Sequence, residues 1–264
     1  MSVYIHGGLR SPIGVLNGQY KHMRPEILGS QVIDEIINRY TISHIDGIFC
    51  GNAVGTGGNL GRLMGLMCNL PNSVPAITVD MQCASALMSI EIAYAHIVSG
   101  IMDSAIAGGI ESSSLQPERV YASGDDRKGT YKVAQFTPQD QSPLAMLKGA
   151  ERTIHKYNVT KEDLYPHIIG SHQRASAALD NPYLQSYIMP ITIDGKRCID
   201  ECIRPTMNEK LLSRMKPLLG ADSITNAGNA CLTHDGAAFV YLSNKKGPFK
   251  IHSVKPWAGN PQFS

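Results

Sequence analysis

The stretch "VDMQCASALMSIEIAYAHIVSG", at residues 79–100, predicts a strand end, a sharp turn and then a helix that is apolar on nearly every face. Cys83 lies where the turn becomes the helix, and only Glu91 in the helix carries a certain charge. A helix that is apolar on all sides must be buried on all sides, whereas one sheet covers one side. Something other than that sheet must therefore cover the second side of this helix.

The segments around this helix alternate between strand and helix patterns. Apolar residues at helical spacing predict helices at 26–40 and 60–70. Strands are predicted for five apolar runs, at 3–9, 45–54, 74–80, 103–112 and 236–243, and a sixth is a candidate at 249–259. This alternation favours an α/β fold with a mixed, mostly parallel five-stranded sheet and helices on both faces.

After Glu111 the pattern changes to a long polar excursion at 113–143, which contains Ser, Gly, Pro and charged residues with little periodicity. Three further helices are predicted, at 144–157, 160–179 and 208–219, and residues 180–207 are predicted to be extended. The middle of the chain is therefore expected to be mainly helical.

The composition excludes several classes of function. The 264 residues include 24 basic and 22 acidic residues, a net charge of +2, and no Lys/Arg run supports binding to nucleic acid or to an anionic membrane. The start of the sequence lacks the pattern of a signal peptide, and no apolar run is long enough to cross a bilayer. Six scattered cysteines are typical of reduced thiols, so we expect a cytoplasmic protein.

The position of Cys83 allows two interpretations. The unpaired N–H groups and positive dipole end at a helix N-terminus favour a thiolate over a thiol, and they can also stabilise an oxyanion. Cys83 is then a candidate nucleophile. Alternatively, Cys83 is a small buried residue that packs as alanine does.

Several motifs in the sequence resemble those of the thiolases. "VPAITVDMQCASAL" and "AYAHIVSGIMDSAIAGGIES" resemble the family's nucleophile segment and the strand that follows it. Four further matches are "RSPIG" (10–14), "CGNAVGTGGNLGR" (50–62), "MLKGAERTIHKYNVTKEDL" (146–164) and "NAGNACLTHDGAAFVYL" (226–242). The resemblance covers essentially the whole chain.

The resemblance implies a domain organisation. Residues 1–112 and 220–248 correspond to the thiolase N-terminal α/β domain, 113–219 to an inserted loop domain that handles CoA, and 249–264 to the start of a C-terminal half. That half carries an N-E-A-F asparagine, a G-H-P-x-G histidine and a C-x-G cysteine, and none of these motifs occurs here. We therefore expect the chain alone to be inactive or severely impaired. In thiolases the second side of the cysteine helix packs against the matching helix of the C-terminal half.

The resemblance also implies a reaction. Cys83 corresponds to the cysteine that takes an acyl group from acyl-CoA, for Claisen condensation or for thiolytic cleavage of acetoacetyl-CoA or another 3-ketoacyl-CoA. CoA and acyl-CoA are substrates, and no covalently bound cofactor is implied. The residues that match CoA contacts are Arg204, Met146, Leu219 and Cys231. A homodimer or a tetramer is also implied.

The chain departs from the family pattern at five positions. Asp80 replaces an asparagine and Met81 replaces the residue after it. Ala86 replaces a glycine, where its methyl group is expected to crowd the turn. Leu211 and Cys231 stand where serines are usual. A thiol is a poorer hydrogen-bond partner than a hydroxyl, so the predicted contact of Cys231 is weakened.

Three groups of residues also allow interpretations other than the thiolase one. Zinc binding by Cys198 and Cys202 lacks the paired motifs of structural sites, and "GTGGNLG" (55–61) lacks the ending of a phosphate-binding loop, so no metal site is expected. His234 is an alternative base for Cys83, and His96 is expected to be a satisfied core histidine. A catalytically inactive half-thiolase that binds CoA or a partner chain, and a ketoacyl-synthase relative that uses carrier-protein thioesters, remain alternative functions.

Overall fold

A mixed seven-stranded sheet organises the first of two units in the structure, a computed structural model that describes residues 1–138 and 142–252. The first unit contains Met1–Gln116, Tyr187–Glu201 and the described residues from His234 onward. The second unit contains Pro117–Ser186 and Cys202–Thr233.

The described residues form seven helices and eleven strands. The helices are α1 (Pro25–Arg39), α2 (Leu60–Gly65), α3 (Ser85–Val98), α4 (Ala145–Lys156), α5 (Lys161–Leu179), α6 (Pro182–Gln185) and α7 (Glu209–Leu212). The strands are β1 (Val3–Arg10), β2 (Gly14–Val15), β3 (Gly47–Gly51), β4 (Ala76–Val79), β5 (Ser104–Ser112), β6 (Arg119–Val120), β7 (Thr130–Tyr131), β8 (Thr192–Ile193), β9 (Lys196–Arg197), β10 (His234–Ser243) and β11 (Phe249–Ile251).

The strands of the main sheet run in the order β11-β1-β10-β5-β3-β4, and β2 pairs with β10. Strand β3 is parallel to β4 and β5, whereas β10 is antiparallel to both β1 and β5. Four of the five long predicted strands therefore run in one direction and β10 runs in the other. The predicted mixed, mostly parallel sheet is confirmed, and the short strands β2 and β11 extend it to seven.

Helices cover both faces of the sheet, as predicted. On one face, α1 and α2 pack against sheet residues such as Ile106 and Phe239 in a common core. On the other face, α3 packs through Ala93 and Ile97 against a smaller core that includes Ala107. Neighbouring residues of β5 point to opposite faces, so Ile106 and Ala107 belong to different cores.

Helix α3 buries one side only against the sheet. Its buried residues recur every four positions, which is a single stripe along a helix: Ser85, Ser89, Ala93 and Ile97. On another side, Leu87 remains 43% exposed. The described residues therefore bury α3 against the sheet but leave part of its other side exposed. They do not supply the second packing surface that its apolar sequence predicts.

Several elements differ from the sequence predictions. Helix α2 ends at Gly65 rather than at 70, and α6 lies within a stretch that was predicted to be extended. Helix α7 has only four residues, so the helix predicted at 208–219 is too long. It is followed by single turns, in which the Arg214 N–H donates to the Leu211 carbonyl at 3.2 Å and the Met215 N–H donates to the Leu212 carbonyl at 3.1 Å. The candidate strand at 249–259 is β11 up to Ile251, and its residues from 253 on lie outside the described chain.

The two units also divide the chain at residues other than the predicted domain boundaries. Residues 187–201 belong to the first unit, because the Arg10 N–H donates to the Tyr187 carbonyl at 2.9 Å and the Met189 N–H donates to the Arg10 carbonyl at 2.8 Å. Residues 220–233 belong to the second unit, where the carboxylate of Glu151 holds part of them.

Asp200 fixes the loop after β1. Its carboxylate accepts from both terminal nitrogens of the Arg10 guanidinium, at 2.8 and 2.7 Å, and from the Ile13 N–H at 2.7 Å. Burial acts to raise the pKa of the Asp200 carboxyl, but the hydrogen bonds from Arg10 and Ile13 outweigh it and hold the pKa below its ordinary value. Asp200 is therefore charged at neutral pH and stabilises this loop.

We predict that Asp200→Asn lowers the free energy of unfolding by about 2 kcal/mol at pH 7, because Arg10 loses a buried charged partner. The pKa of Asp200 in the folded protein lies below its ordinary value of 3.8. The stabilisation by Asp200 is therefore fully present above pH 3.8 and is lost as the pH falls through the folded-state pKa. Urea unfolding at pH 7 and in acid measures the difference.

The matched control is Glu35→Gln, which breaks the more exposed pair between Glu35 and Arg39 on α1. Its expected cost is below about 1 kcal/mol. Equal losses for the two variants at pH 7 would contradict the role assigned to Asp200.

Candidate active site

The turn between β4 and α3 is closed by its own hydrogen bonds. The Asp80 carboxylate accepts from the Gln82 N–H at 2.9 Å. The Ser85 hydroxyl accepts from the Met81 N–H at 2.8 Å and donates to the Gln82 carbonyl at 2.6 Å. Gln82 has a φ of 52°, in the left-handed region that a side chain disfavours, so the turn is sharp. Asp80, one of the departures from the family pattern, therefore has a local role in this turn.

Cys83 follows this turn and lies two residues before the first helical residue of α3, with Ala84 at the N-cap. Its thiol is free and exposed. The alternative that Cys83 is a buried residue packing as alanine does is therefore wrong.

The end of β3 approaches the first turn of α3 backbone to backbone, and β5 lies close to the same turn. A Cβ atom added at Gly51 would lie 2.5 Å from the Ala86 nitrogen and 2.6 Å from the Ser85 carbonyl carbon. A Cβ atom at Gly109 would lie 2.8 Å from the Gly51 oxygen and 3.2 Å from the Ala86 Cβ. The methyl group of Ala86, expected to crowd this turn, is accommodated because Gly109 has no side chain.

Ser89 adds polar contacts one turn further along α3. Its hydroxyl accepts from the Gly108 N–H at 3.0 Å and lies 2.8 Å from the Gly108 carbonyl oxygen and 2.7 Å from the Ala86 carbonyl oxygen, both of which can accept from it. Ser89 is completely buried. These contacts tie α3 to β5 directly below the turn that carries Cys83.

Glu111 organises the loop that follows β3, and sequence reasoning assigned it no role. Its carboxylate accepts from the Asn52 side-chain amide at 2.9 Å, from the Ala53 N–H at 3.0 Å and from the Val54 N–H at 3.1 Å. Burial raises the pKa of Glu111, and these hydrogen bonds act in the opposite direction. The motifs that contain Asn52 and Glu111 were visible in the sequence, but their pairing was not.

The four predicted CoA contacts all lie in the second unit, whereas Cys83 lies in the first. Met146 is the second residue of α4 and is 63% exposed, and Leu219 is partly buried. The Arg204 N–H donates to the Nδ1 atom of His172 at 3.1 Å. Cys231 is exposed, with its Sγ atom 3.4 Å from the Leu232 carbonyl oxygen.

The two histidines singled out in the sequence have different environments. His96 lies 2.8 Å from the Ile92 carbonyl oxygen through its Nδ1 atom, and its ring centre lies 5.3 Å from that of Phe49. It therefore has a hydrogen-bond partner, as predicted, but it is only partly buried and not a core residue. His234 is the first residue of β10, where it pairs with Val15 of β2. Within the described part of the chain, the thiol of Cys83 makes no hydrogen bond to His234.

The rejected binding motifs have structural roles. Gly57 and Gly58 adopt φ values of 81° and 68° in the glycine-rich turn that precedes α2. Cys198 is buried in the core of the first unit, and Cys202 belongs to the second. Across residues 1–138 and 142–252, no three His, Cys, Asp or Glu side chains are grouped so that they could hold a metal ion. No helix in those residues has both the length and the apolar character that a membrane span requires.

Comparison with known proteins places the chain in a family. Residues 3–246 match the family described as "Thiolase, N-terminal domain". A protein of Staphylococcus epidermidis provisionally named acetyl-CoA C-acetyltransferase VraB is 33% identical over 243 residues, which is 88% of this chain and 62% of the relative. A protein of the same name from Staphylococcus aureus is 31% identical over 249 residues, which is 92% of this chain and 65% of the relative.

A solved structure shows the same fold. The crystal structure of the Bacillus anthracis acetyl-CoA acetyltransferase matches with a TM-score of 0.81 and 26% sequence identity, over 92% of this chain and 65% of that one. The chain therefore belongs to the thiolase family, and the resemblance seen in its motifs is confirmed. It spans slightly less than two thirds of the length of these relatives.

We predict that Gly51→Ala destabilises the protein by about 2 kcal/mol, because the new methyl group overlaps the backbone of Ser85 and Ala86. Urea unfolding measures the loss. Hydrogen exchange should show faster exchange of the amides at 80–86, where the turn is displaced.

The matched control is Gly124→Ala, since a Cβ atom added at Gly124 meets no other atom within 4 Å. Its stability should stay within about 0.5 kcal/mol of the unsubstituted protein. An unchanged exchange pattern and stability in Gly51→Ala would show that the close approach does not hold the turn.

Proposed function

We propose that this protein is an acyl-CoA C-acyltransferase of the thiolase type that forms an acyl-cysteine intermediate at Cys83. The observation that carries the proposal is the exposed, free thiol of Cys83 at the start of α3, in a chain that belongs to the thiolase family. The relatives named as acetyl-CoA acetyltransferases support the same class of reaction.

The proposed chemistry begins with attack of the Cys83 sulfur on the carbonyl carbon of an acyl-CoA thioester. The new S–C bond forms as the bond between the carbonyl carbon and the CoA sulfur breaks, and CoA leaves as a thiolate that takes up a proton. In condensation, the α carbon of a second acyl-CoA loses a proton and attacks this acyl group, and the sulfur of Cys83 leaves. In thiolysis, the Cys83 sulfur instead attacks the 3-keto carbon of a 3-ketoacyl-CoA, and the bond between that carbon and the α carbon breaks. The released acyl-CoA takes up a proton at its α carbon, and the sulfur of free CoA then takes the acyl group from Cys83.

The CoA contacts form a second part of the proposal. Arg204 supplies a cation for the phosphates, Met146 and Leu219 supply apolar surface, and Cys231 contacts the pantetheine arm. Exposure of Met146 and Cys231 supports this assignment, because both side chains are accessible to a ligand. The inserted segment 113–219 is proposed to handle CoA, and 1–112 with 220–248 to correspond to the family's α/β domain, which carries Cys83. These proposed domains differ from the two packing units, because 187–201 pack with the first unit and 220–233 with the second.

The rate of turnover by these 264 residues is proposed to be low. The sequence lacks the motifs that carry the family's activating histidine and second cysteine, and 249–264 is proposed to correspond to the start of the half that bears them. Proton transfer by a positioned side chain contributes roughly two to four orders of magnitude to such reactions. Acyl capture by Cys83 can therefore proceed where full turnover does not.

A homo-oligomer in the cytoplasm is also proposed. Large apolar side chains are exposed on α2 and on β4, the edge strand of the sheet, among them Leu63 and Ile77. Contiguous exposed apolar surface favours association. This supports a dimer or a tetramer of the chain.

The second candidate is a catalytically inactive protein that binds CoA or a partner chain. The observation that favours it is the absence of a hydrogen-bonded imidazole at Cys83 within the described residues. A ketoacyl-synthase relative is less well supported, because the matched family and relatives are thiolases.

Incubation with acetyl-CoA tests the main proposal. We expect an acetyl group on the peptide that contains Cys83, detected by mass spectrometry after an acid quench. Cys83→Ala should lose this adduct, because it removes the nucleophile. Cys202→Ala, which removes a partly exposed free thiol that has no assigned role, should keep it. Absence of the Cys83 adduct after several hours would favour the inactive, binding-only alternative.

A further inference from the structure

The carboxylate of Glu151, on α4, accepts hydrogen bonds from three consecutive residues, 223–225, in a loop that is distant in sequence. Its Oε1 atom accepts from the Ile224 N–H at 2.8 Å. Its Oε2 atom accepts from the Thr225 N–H at 3.0 Å, from the Ser223 hydroxyl at 3.1 Å and from the Thr225 hydroxyl. Both carboxylate oxygens are therefore used, and Glu151 is buried despite its charge.

The electrostatics of Glu151 favour its charged form. Burial acts to raise its pKa, but the hydrogen bonds from Thr225, Ile224 and Ser223 outweigh burial and hold the pKa at about 2. His155, one helical turn along α4, lies 3.2 Å from Oε1. Hydrogen bonds to a charged acceptor are roughly twice as strong as neutral ones. The hydrogen bonds between Glu151 and residues 223–225 are therefore strong at neutral pH.

Residues 223–225 continue directly into the loop 226–231, which is closed by its own hydrogen bonds. The Ile224 carbonyl accepts from the side-chain amide of Asn229 at 3.0 Å. The Asn226 carbonyl accepts from the Ala230 N–H at 2.9 Å, and the Asn226 N–H donates to the Asn229 side chain at 2.7 Å. The position of residues 226–230 therefore depends on the position of Ile224.

Packing leaves this loop little freedom. A Cβ atom added at Gly228 would lie 2.6 Å from the Leu212 side chain and 2.8 Å from the Met215 sulfur. The Leu218 N–H also donates to the Thr225 carbonyl at 2.9 Å. The loop ends at Cys231, which is exposed. A displacement at Thr225 would therefore be transmitted along the loop as far as Cys231.

We propose that Glu151 is a positioning residue for CoA, which holds the loop 226–231 so that Cys231 and its neighbours meet the pantetheine arm. The inference rests on the proposed function, which assigns Cys231 to a CoA contact. It adds a residue that touches no substrate atom and acts through the backbone of residues 223–225.

Isothermal titration of the full chain with CoA, at pH 7 under reducing conditions, tests this role. In Glu151→Gln, one of the two backbone N–H groups faces an amide that cannot accept from it, so the loop shifts while the shape of the side chain is kept. The dissociation constant for CoA should rise about tenfold, the loss expected for one hydrogen bond to a charged group. Glu162→Gln removes an exposed charge on α5 and should leave the dissociation constant unchanged.

The binding stoichiometry separates positioning from simple loss of folding. A purely structural role would reduce the fraction of chains that bind, with the dissociation constant unchanged, and this result would overturn the inference. Alkylation of Cys83 by iodoacetamide, followed by peptide mapping, reports on the first unit and should proceed at the unsubstituted rate. If Glu151→Gln does not fold, Ser223→Ala removes one hydrogen bond to the carboxylate and should weaken CoA binding about threefold.

The outcomes distinguish the two proposals. If the unsubstituted chain binds no CoA, the proposed CoA contacts fail and the role of Glu151 fails with them. If it binds CoA and neither Glu151→Gln nor Ser223→Ala weakens binding, the role of Glu151 fails and the proposed function stands. Weaker CoA binding at unchanged stoichiometry in Glu151→Gln and Ser223→Ala, but not in Glu162→Gln, supports both the proposed CoA contacts and the role of Glu151.

Discussion

The structure depends on a direct backbone contact between the sheet and the first turn of α3. Gly51 at the end of β3 and Gly109 on β5 lack the side chains that would separate the strands from the helix. Ser89 reinforces the contact through its hydrogen bonds to Gly108. Since Cys83 lies two residues before α3, this contact fixes the position of the thiol relative to the sheet. A small residue at each of these positions is therefore a requirement of the site.

Buried or partly buried carboxylates hold the long connections of both units. Asp200 fixes the loop after β1, Glu111 fixes the loop after β3, and Glu151 fixes residues 223–225. In each case a side chain from one segment accepts backbone N–H groups of a segment distant in sequence. Such bonds satisfy donors that lie outside helices and strands, which folded proteins rarely leave unpaired when buried. The loops can then be long and still have a defined conformation.

The sequence predicted the regular elements well and the contacts between them poorly. The five long strands and helices α1, α3, α4 and α5 follow from apolar periodicity, and the turn before α3 was predicted to place Cys83 at a helix start. Helix α7 was expected to end near Pro217, but it ends at Leu212, because apolar periodicity continues where the backbone changes to single turns. The contact between Glu151 and Thr225 joins residues 74 positions apart, and no local pattern encodes it. The CoA contacts stay predictions, because they come from motif resemblance alone.

A crystal structure of the protein after treatment with acetyl-CoA tests most directly whether the thiol held at the start of α3 accepts an acyl group. We expect electron density for an acetyl group bonded to the Sγ atom of Cys83, with Gly51 still in contact with the backbone of Ala86. An unmodified Cys83 in such crystals, or a first turn of α3 separated from β3, would contradict this expectation.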